Sequence, residues 1–407
     1  MLFNQKSFNY FHIYIYSRGG VAVFVAGVVA EYNPFHNGHK YQLEQTRRLG
    51  ADHVVVVMSG DAVQRGDTAV YSKYKRAQTA VRNGADLVVE LPAPYSCSPA
   101  QVFAYNAVRL LAGFGEGVVN GISFGSSCDD AKVLVKAQEK AAALENDQYF
   151  KQLTSSGMSY PAALSAAAEK AFPEMKAILR DPNNVLGIEY ISSAKTIAPW
   201  INPMCVRRKG AMHGDSAPSE GIASASLLRE MLERGEDIST FVPISENAAP
   251  SFLKNADKAM LFRLLTCDDK QLESCPFVTQ SFINRFHKAV EKCPQTVDEL
   301  AQLIKSKDIT MARVRRMLMH LTLGITHGDM AVPVPYGRIL ALNEKGAAIL
   351  VAAKNRTINY DTSLARLERD DACKRTAFLE CAAVKLREMS AGEPYSNEYT
   401  QKIVLTK

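Results

Sequence analysis

No apolar run in this 407-residue sequence reaches the roughly 20 residues that a helix needs to cross a bilayer, so a helical integral membrane protein is excluded. The eight cysteines, at 97, 128, 205, 267, 275, 293, 373 and 381, include no Cys-x-x-Cys pair and no Cys/His cluster at zinc spacing. The plain reading is a soluble chain in a reducing cytoplasm, with no metal-ligand set of its own. Internal repeats and low-complexity tracts are also missing, which removes solenoids and disordered tethers. Charge is close to balance: the formal +6 is a mild excess that suits an anionic partner without establishing one.

What is present fits an ordinary globular protein. Hydrophobic content of 47% and charged content of 22% are typical, and the length exceeds what one core usually serves, so two domains are expected. Residues 1–20 stand apart. Phe3, Phe8, Tyr10, Phe11, Tyr14 and Tyr16 crowd a segment with no clean apolar core and no small-residue cleavage site. We expect 1–20 to be a non-native or disordered extension, with translation beginning near Val21, Val23 or Val25.

From there β-branched runs alternate with helical stretches. Val23 to Ala30, Val54 to Met58, Asp86 to Leu91 and Val118 to Phe124 read as strands, separated by helices over Lys40 to Leu49, Ser72 to Asn83 and Gln101 to Ala112. That rhythm predicts an α/β fold with a parallel sheet, whose ligand crevice lies outside the carboxyl ends of the strands. A strand over Met204 to Arg207 and a helix opening near Ser224 close the first domain, 21–240. Residues 241–407 read almost wholly as helices, punctuated by Pro250, Pro276, Pro294, Pro333 and Pro335.

The run Tyr32-Asn33-Pro34-Phe35-His36-Asn37-Gly38-His39 follows the first strand directly. Two imidazoles spaced His-x-Gly-His at a strand-to-helix junction can set paired donors against a phosphate, with Gly38 letting the backbone come close. As pyrophosphate leaves an α-phosphate, such donors offset charge where it develops, which makes His36 and His39 the catalytic candidates. The alternative is a pair of turn histidines; a metal site is not expected, because no third ligand stands nearby. Ser224, Ser226 and Arg229 form a second candidate phosphate-binding helix start, against the commoner reading of a plain serine cap. Arg207-Arg208-Lys209-Gly210 leads out of a strand toward it, and one guanidinium there, preferably Arg208, can clamp a phosphate. Arg313, Arg315 and Arg316 supply recurrent positive charge in the helical half, equally consistent with wetted helix faces and with a grip on an RNA backbone.

Taken in order, Glu31-Tyr32-Asn33-Pro34-Phe35-His36-Asn37-Gly38-His39, Met58-Ser59-Gly60 with Gln64-Arg65-Gly66, Asp86 to Pro92, Ser159-Tyr160-Pro161, Pro182-Asn183-Asn184-Val185-Leu186-Gly187 and Ile222 to Ser226 resemble the bacterial tRNA(Met) cytidine acetate ligases. The resemblance runs from about Val23 to Leu350. It implies a Rossmann-like nucleotidyltransferase domain of the HxGH type, followed by a mainly helical tRNA-binding domain. It also implies an ATP-dependent enzyme that activates acetate as acetyl-adenylate and acetylates N4 of the wobble cytidine of elongator tRNA(Met), with Mg2+ as the nucleotide's counter-ion. Carried over position by position, ATP contacts fall on Val28, Val29, Ala30, Glu31, Tyr32, Asn33, Pro34, Phe35, His36, Asn37, Gly38, His39, Lys40 and Tyr41, and on Gly125, Asn183 and Arg208. The loop Met212-His213-Gly214-Asp215 departs from the family's Tyr-His-Asp, and the tail after Arg369 matches poorly. No membrane and no stable protein partner is expected. Two rival readings of the same residues are a small-molecule adenylyltransferase and a non-catalytic nucleotide- or RNA-binding protein.

Overall fold

The computed structural model describes residues 23–128, 130–156, 158, 160–209, 221–244, 248–307 and 309–406. The expected extension at 1–20 and the divergent loop at 212–215 lie outside the described residues. Ten strands are described in chain order: β1 (Val25–Ala30), β2 (His53–Ser59), β3 (Ala62–Val63), β4 (Asp67–Thr68), β5 (Leu87–Leu91), β6 (Gly121–Ser126), β7 (Asn202–Arg207), β8 (Tyr336–Leu342), β9 (Asn359–Asp361) and β10 (Val404–Leu405). Between the early strands lie helices α1 (Asn37–Arg48), α2 (Lys73–Arg82) and α3 (Ala100–Ala112).

The main sheet has the order β10-β8-β5-β2-β1-β6-β7, with β9 beside β8, while β3 and β4 make a separate small hairpin. From β5 to β7 every neighbour is parallel. β8 pairs antiparallel with β5. The valine-rich β2 shows why these runs form central strands: Val55 and Val57 pack into the core on one face, Val54 and Val56 into the core on the other. Helix α3 and helix Pro182–Ile197 cover the first face through Leu110, Leu111, Ile188 and Ile191, and α1 and α2 cover the second through Leu43, Ala77 and Ala80. Gly27 lets α3 come close, since a Cβ there would stand 2.5 Å from Leu111 Cδ1. From β1 the chain winds outward to β2 and β5, then crosses back to β6 and β7, so the winding reverses between β1 and β6. A crevice at their carboxyl ends follows from that reversal.

A second core is built from helices between 257 and 323, with Met260, Leu264, Phe282, Phe286, Leu300 and Leu318, and it also takes in Ala62, Ala93 and Cys97 from the first half. The second half is mainly helical, but not almost wholly so. β8, β9 and β10 return to the sheet, a correction to the expectation above. The cause is legible in β8, Tyr-Gly-Arg-Ile-Leu-Ala-Leu: a short apolar run has no period that separates strand from buried helix.

Buried charges fasten this return. Lys73 Nζ lies 2.6 Å from Glu90 Oε1, 3.1 Å from Glu380 Oε1 and 2.8 Å from Glu398 Oε2, and Arg338 pairs with Glu398, all essentially without solvent. Three carboxyls thus face two cations. Burial, with Glu380 and Glu398 adding to it against the pull of Lys73, holds the Glu90 carboxyl well above its usual range, at about 8. Glu90 therefore keeps its proton at neutral pH and the cluster is close to neutral. Among the described residues, no helix is long and apolar enough to cross a membrane.

Candidate active site

The crevice at the β1–β6 reversal encloses about 300 Å³. β1 ends at Ala30, and the chain then turns through Tyr32, whose φ of +50° is unusual for an aromatic residue and marks a locally constrained backbone. His36 caps α1 in an extended conformation, φ −139° and ψ 173°. Its Nδ1 accepts the Gly38 N–H at 3.0 Å, while His39 Nδ1 accepts the His36 N–H at 3.2 Å, a reciprocal cap made of two imidazoles. The rings stack at 3.7 Å between centroids, and Tyr32 closes on His39 edge-on at 4.9 Å. Gly38 is needed here, because a Cβ would stand 2.9 Å from His36 Cε1.

With each Nδ1 accepting, a neutral ring carries its proton on Nε2 and donates from there. Both rings are held neutral. Burial, then the positive charges of Arg208 and Arg229, brings His36 down to about 3; burial, then His36 and Arg208, keeps His39 well below its ordinary value. The pair is thus two neutral N–H donors at a helix N-terminus, suited to phosphate oxygens without carrying charge of their own.

Opposite stands Arg208, directly after β7. Its Nη1 is buried and has no hydrogen-bond partner among the described residues. Gly125 at the end of β6 makes room for it, since a Cβ there would meet Arg208 Cγ at 3.2 Å. Ser224 caps helix Ala225–Glu233, its Oγ accepting the Leu227 N–H at 3.2 Å and lying 3.0 Å from Ser226 Oγ. One turn on, Arg229 donates to the Asn33 carbonyl at 2.7 Å and faces the crevice. Asn183 lies in the first turn of helix Pro182–Ile197, held by Asp181, and it joins the wall with Leu186, Tyr190 and Phe124. Among the described residues, five cationic side chains (Arg65, Arg207, Arg208, Lys209 and Arg229) and a single carboxylate, Glu31, line the space. Such a charge set suits a polyanion.

The crevice therefore brings together Val29, Ala30, Glu31, Tyr32, Asn33, His36, Gly38, His39, Tyr41, Gly125, Asn183, Arg208, Ser224, Ser226 and Arg229. It does not gather every expected residue. Val28 is buried within β1, Lys40 is exposed, and Pro34 and Phe35 line a separate cavity of about 170 Å³. Asn37 donates to the carbonyls of Gly221 and Thr240. Nor do the three arginines of helix Met311–Leu323 share one role: Arg313 donates to the Phe277 carbonyl at 3.1 Å, Arg316 to that of Gln64 at 3.4 Å, and exposed Arg315 pairs with Asp298 at 2.7 Å.

Sequence reasoning missed Arg76. Its guanidinium donates to the carbonyls of Tyr71, Glu31, Ser59 and Gly60 and to Asp61 Oδ1 at 3.1 Å, which fixes the turn after β1 to the turn after β2. A lone arginine in an amphipathic helix gives no sequence signal of that role. Among the described residues, no three His, Cys, Asp or Glu side chains gather to hold a metal ion.

Residues 24–402 match the HIGH Nucleotidyl Transferase family. The chain is 35% identical to the tRNA(Met) cytidine acetate ligase of Thermoanaerobacter sp. (strain X514), with 82% of this chain and 86% of that protein covered.

The chain belongs to the HIGH nucleotidyl transferase family and, within it, to the tRNA(Met) cytidine acetate ligases.

The family's likeness extends further along the chain in Acetivibrio thermocellus, whose tRNA(Met) cytidine acetate ligase is 32% identical over 94% of this chain and 99% of its own length. Among solved structures, apo TmcAL of Thermotoga maritima superposes with a TM-score of 0.86 at 26% identity, covering 94% of this chain and 99% of that one. The same protein bound with alpha-thio ATP gives 0.81 at 26% identity, over 94% of this chain and all of that one.

Proposed function

We propose that this protein is an ATP-dependent tRNA(Met) cytidine acetate ligase: it joins acetate to AMP and passes the acetyl group to N4 of the wobble cytidine of elongator tRNA(Met). The observation that carries this reading is the pairing, across one crevice at the sheet's reversal point, of two neutral imidazole donors with a guanidinium nitrogen that has no partner among the described residues. ATP sits with its phosphates on the N-terminus of α1 and its base against Phe124, Leu186 and Tyr190.

Acetate alone is a poor acylating agent, because oxide does not leave. Attack of one acetate oxygen on the α-phosphorus forms a new P–O bond, while the bond to the β-phosphate breaks and pyrophosphate departs with the electron pair. The protein's part is to hold the partners in line and to meet the developing charge. His36 and His39 donate from Nε2 to the α- and β-phosphates; Arg208, Arg229 and the helix start at Ser224 and Ser226 take the leaving pyrophosphate. Mg2+ would be held by the nucleotide's own phosphates, since among the described residues the crevice offers one carboxylate and no ligand cluster, and no step here runs through it. Arg315, the exposed member of its trio, is the one best placed to meet RNA. The reaction belongs in the cytoplasm, where its tRNA resides.

Incubation with ATP, labelled acetate and total tRNA, followed by nucleoside analysis, tests the reading. Label in N4-acetylcytidine is the expected result. Pyrophosphate release that ignores acetate but responds to a phosphorylated metabolite would replace it with the small-molecule adenylyltransferase.

A further inference from the structure

Beside the crevice opens a second cavity of about 630 Å³, which shares Glu31, Asn33, Arg65, Ser226 and Arg229 with it. The two spaces therefore adjoin. The outer walls come from both halves of the chain: the β3–β4 hairpin on one side, and on the other the segment from Ser251 to Asp257 with helices Val297–Ile304 and Met311–Leu323. The hairpin is fixed in place. Gly66 at its tip, with φ +73°, lies so close to helix Met311–Leu323 that a Cβ would stand 2.5 Å from the Arg315 backbone carbon.

Among the described residues the lining of this cavity is apolar, aromatic and rich in carboxylates, with Asp67, Glu230, Glu233, Asp257 and Asp298. Val63 and Leu318 line it, and half-buried Phe252 offers an aromatic face against which a base can lie. Asp67 presents a carboxylate to the cavity, its Oδ1 accepting the Thr68 N–H at 2.8 Å. Burial pushes that carboxyl up, with Glu233 adding to it and with the Thr68 N–H, Arg229 and Arg315 opposing, so it is a better proton acceptor than a free aspartate. Lys254 and Arg315, both exposed and both in surface ion pairs that exchange readily, stand at the mouth where a phosphate backbone would pass.

We propose that this cavity receives the unstacked wobble cytosine, with Phe252 as its stacking face and Asp67 as the acceptor of the N4 proton. The assignment rests on the acetate-ligase reading above. In the transfer step the N4 lone pair forms a bond to the acetyl carbonyl carbon. The bond from that carbon to the adenylate oxygen breaks, AMP leaves with its electron pair, and the proton shed by N4 passes to the Asp67 carboxylate. An exocyclic amine donates to a carboxylate, whereas the O4 of uracil would be repelled by it, so the same residue discriminates cytosine from uracil.

Two measurements test this. In the wild-type protein with ATP and acetate, tRNA(Met) carrying 5-iodocytidine at the wobble position is irradiated, and crosslinks are expected in residues 63–70 or 251–260. In parallel, Asp67→Asn and Asp67→Glu are assayed in single turnover, following pyrophosphate release and acetyl transfer separately. Asp67→Asn should slow transfer by about a hundredfold while pyrophosphate release and tRNA affinity change far less, and Asp67→Glu should restore part of the loss. Crosslinks confined to other segments overturn the placement. Transfer by Asp67→Asn at the wild-type rate, or a parallel loss of both steps, overturns the role of the carboxylate. If the wild type releases no pyrophosphate with acetate, the ligase reading itself fails and this inference falls with it.

Discussion

Replacing His39 by alanine removes two things at once, and the structure separates their sizes. The first is the acceptor for the His36 N–H at 3.2 Å, half of the reciprocal cap on α1. Losing one such cap costs about 1 kcal/mol. Against a typical stability of roughly 5–15 kcal/mol the fold survives, with a melting temperature lowered by only a few degrees. The second, on the function proposed above, is an Nε2–H donor to the phosphates. A preorganised donor of this kind supplies roughly 3 kcal/mol to the transition state, or on the order of a hundredfold in rate. Acetate-dependent pyrophosphate release should therefore fall about a hundredfold while tRNA affinity, measured by filter binding, stays near wild type. His39→Gln sharpens the test, since a glutamine at this helix position can reach back to the His36 N–H but lacks the stacked ring. It should recover the melting temperature and not the rate. If His39→Ala forms acetyl-adenylate at the wild-type rate, or if His39→Gln restores both properties together, the imidazole is a cap and nothing more.

Other expectations follow from single features. His320 is fully buried, its Nε2 2.8 Å from the Cys97 carbonyl oxygen, and burial above all lowers it to about 4. The native state thus binds fewer protons than the unfolded one between about 4 and 6.5; the contribution is complete above 6.5 and is lost as pH falls toward 4, on the order of 3 kcal/mol in all. Thermal melts across that range should show His320→Gln with a shallower decline than wild type, and an equally steep decline would refute it. In the buried cluster, Glu90→Gln should be nearly neutral below about pH 4.5, where Glu90 is protonated in both the folded and the unfolded chain, whereas Lys73→Met should cost roughly 3–5 kcal/mol at pH 7 by removing the cation that faces Glu380. Because the Glu90 pKa is raised, its contribution weakens as pH climbs from about 4.5 to 8, so Glu90→Gln should gain on wild type over that range; denaturant midpoints decide. Arg208→Lys should raise the KM for ATP substantially, since a point charge does not replace a fork whose Nη1 has no partner among the described residues and can meet a phosphate oxygen; an unchanged KM would place the triphosphate elsewhere.

Much of the architecture was legible because the valine-rich strands carry their own signal. The expected strand Val54 to Met58 lies inside β2, Val23 to Ala30 brackets β1, and the His-x-Gly-His turn sits at the reversal point as its neighbours implied. β8 was not legible, since its short run lacks a period and its partner β5 is remote in sequence. The buried cluster was hidden for the same reason: Lys73, Glu90, Glu380 and Glu398 read as four ordinary surface charges until the fold brings them together. In the site, residues adjacent to a motif were foreseen best. Asp67 and Phe252 face one space only because the hairpin tip rests on helix Met311–Leu323, a contact that no local pattern announces.

The antiparallel closure of the sheet by β8 has a consequence for how the chain is made. The outer edge of β5 stays unpaired until Tyr336–Leu342 leaves the ribosome, about 245 residues after Leu91. At translation speeds of roughly 5–20 residues per second, that apolar border stands open for tens of seconds. A nascent chain stalled in this interval would present a sticky ribbon to its surroundings, and chaperone dependence should be greatest there.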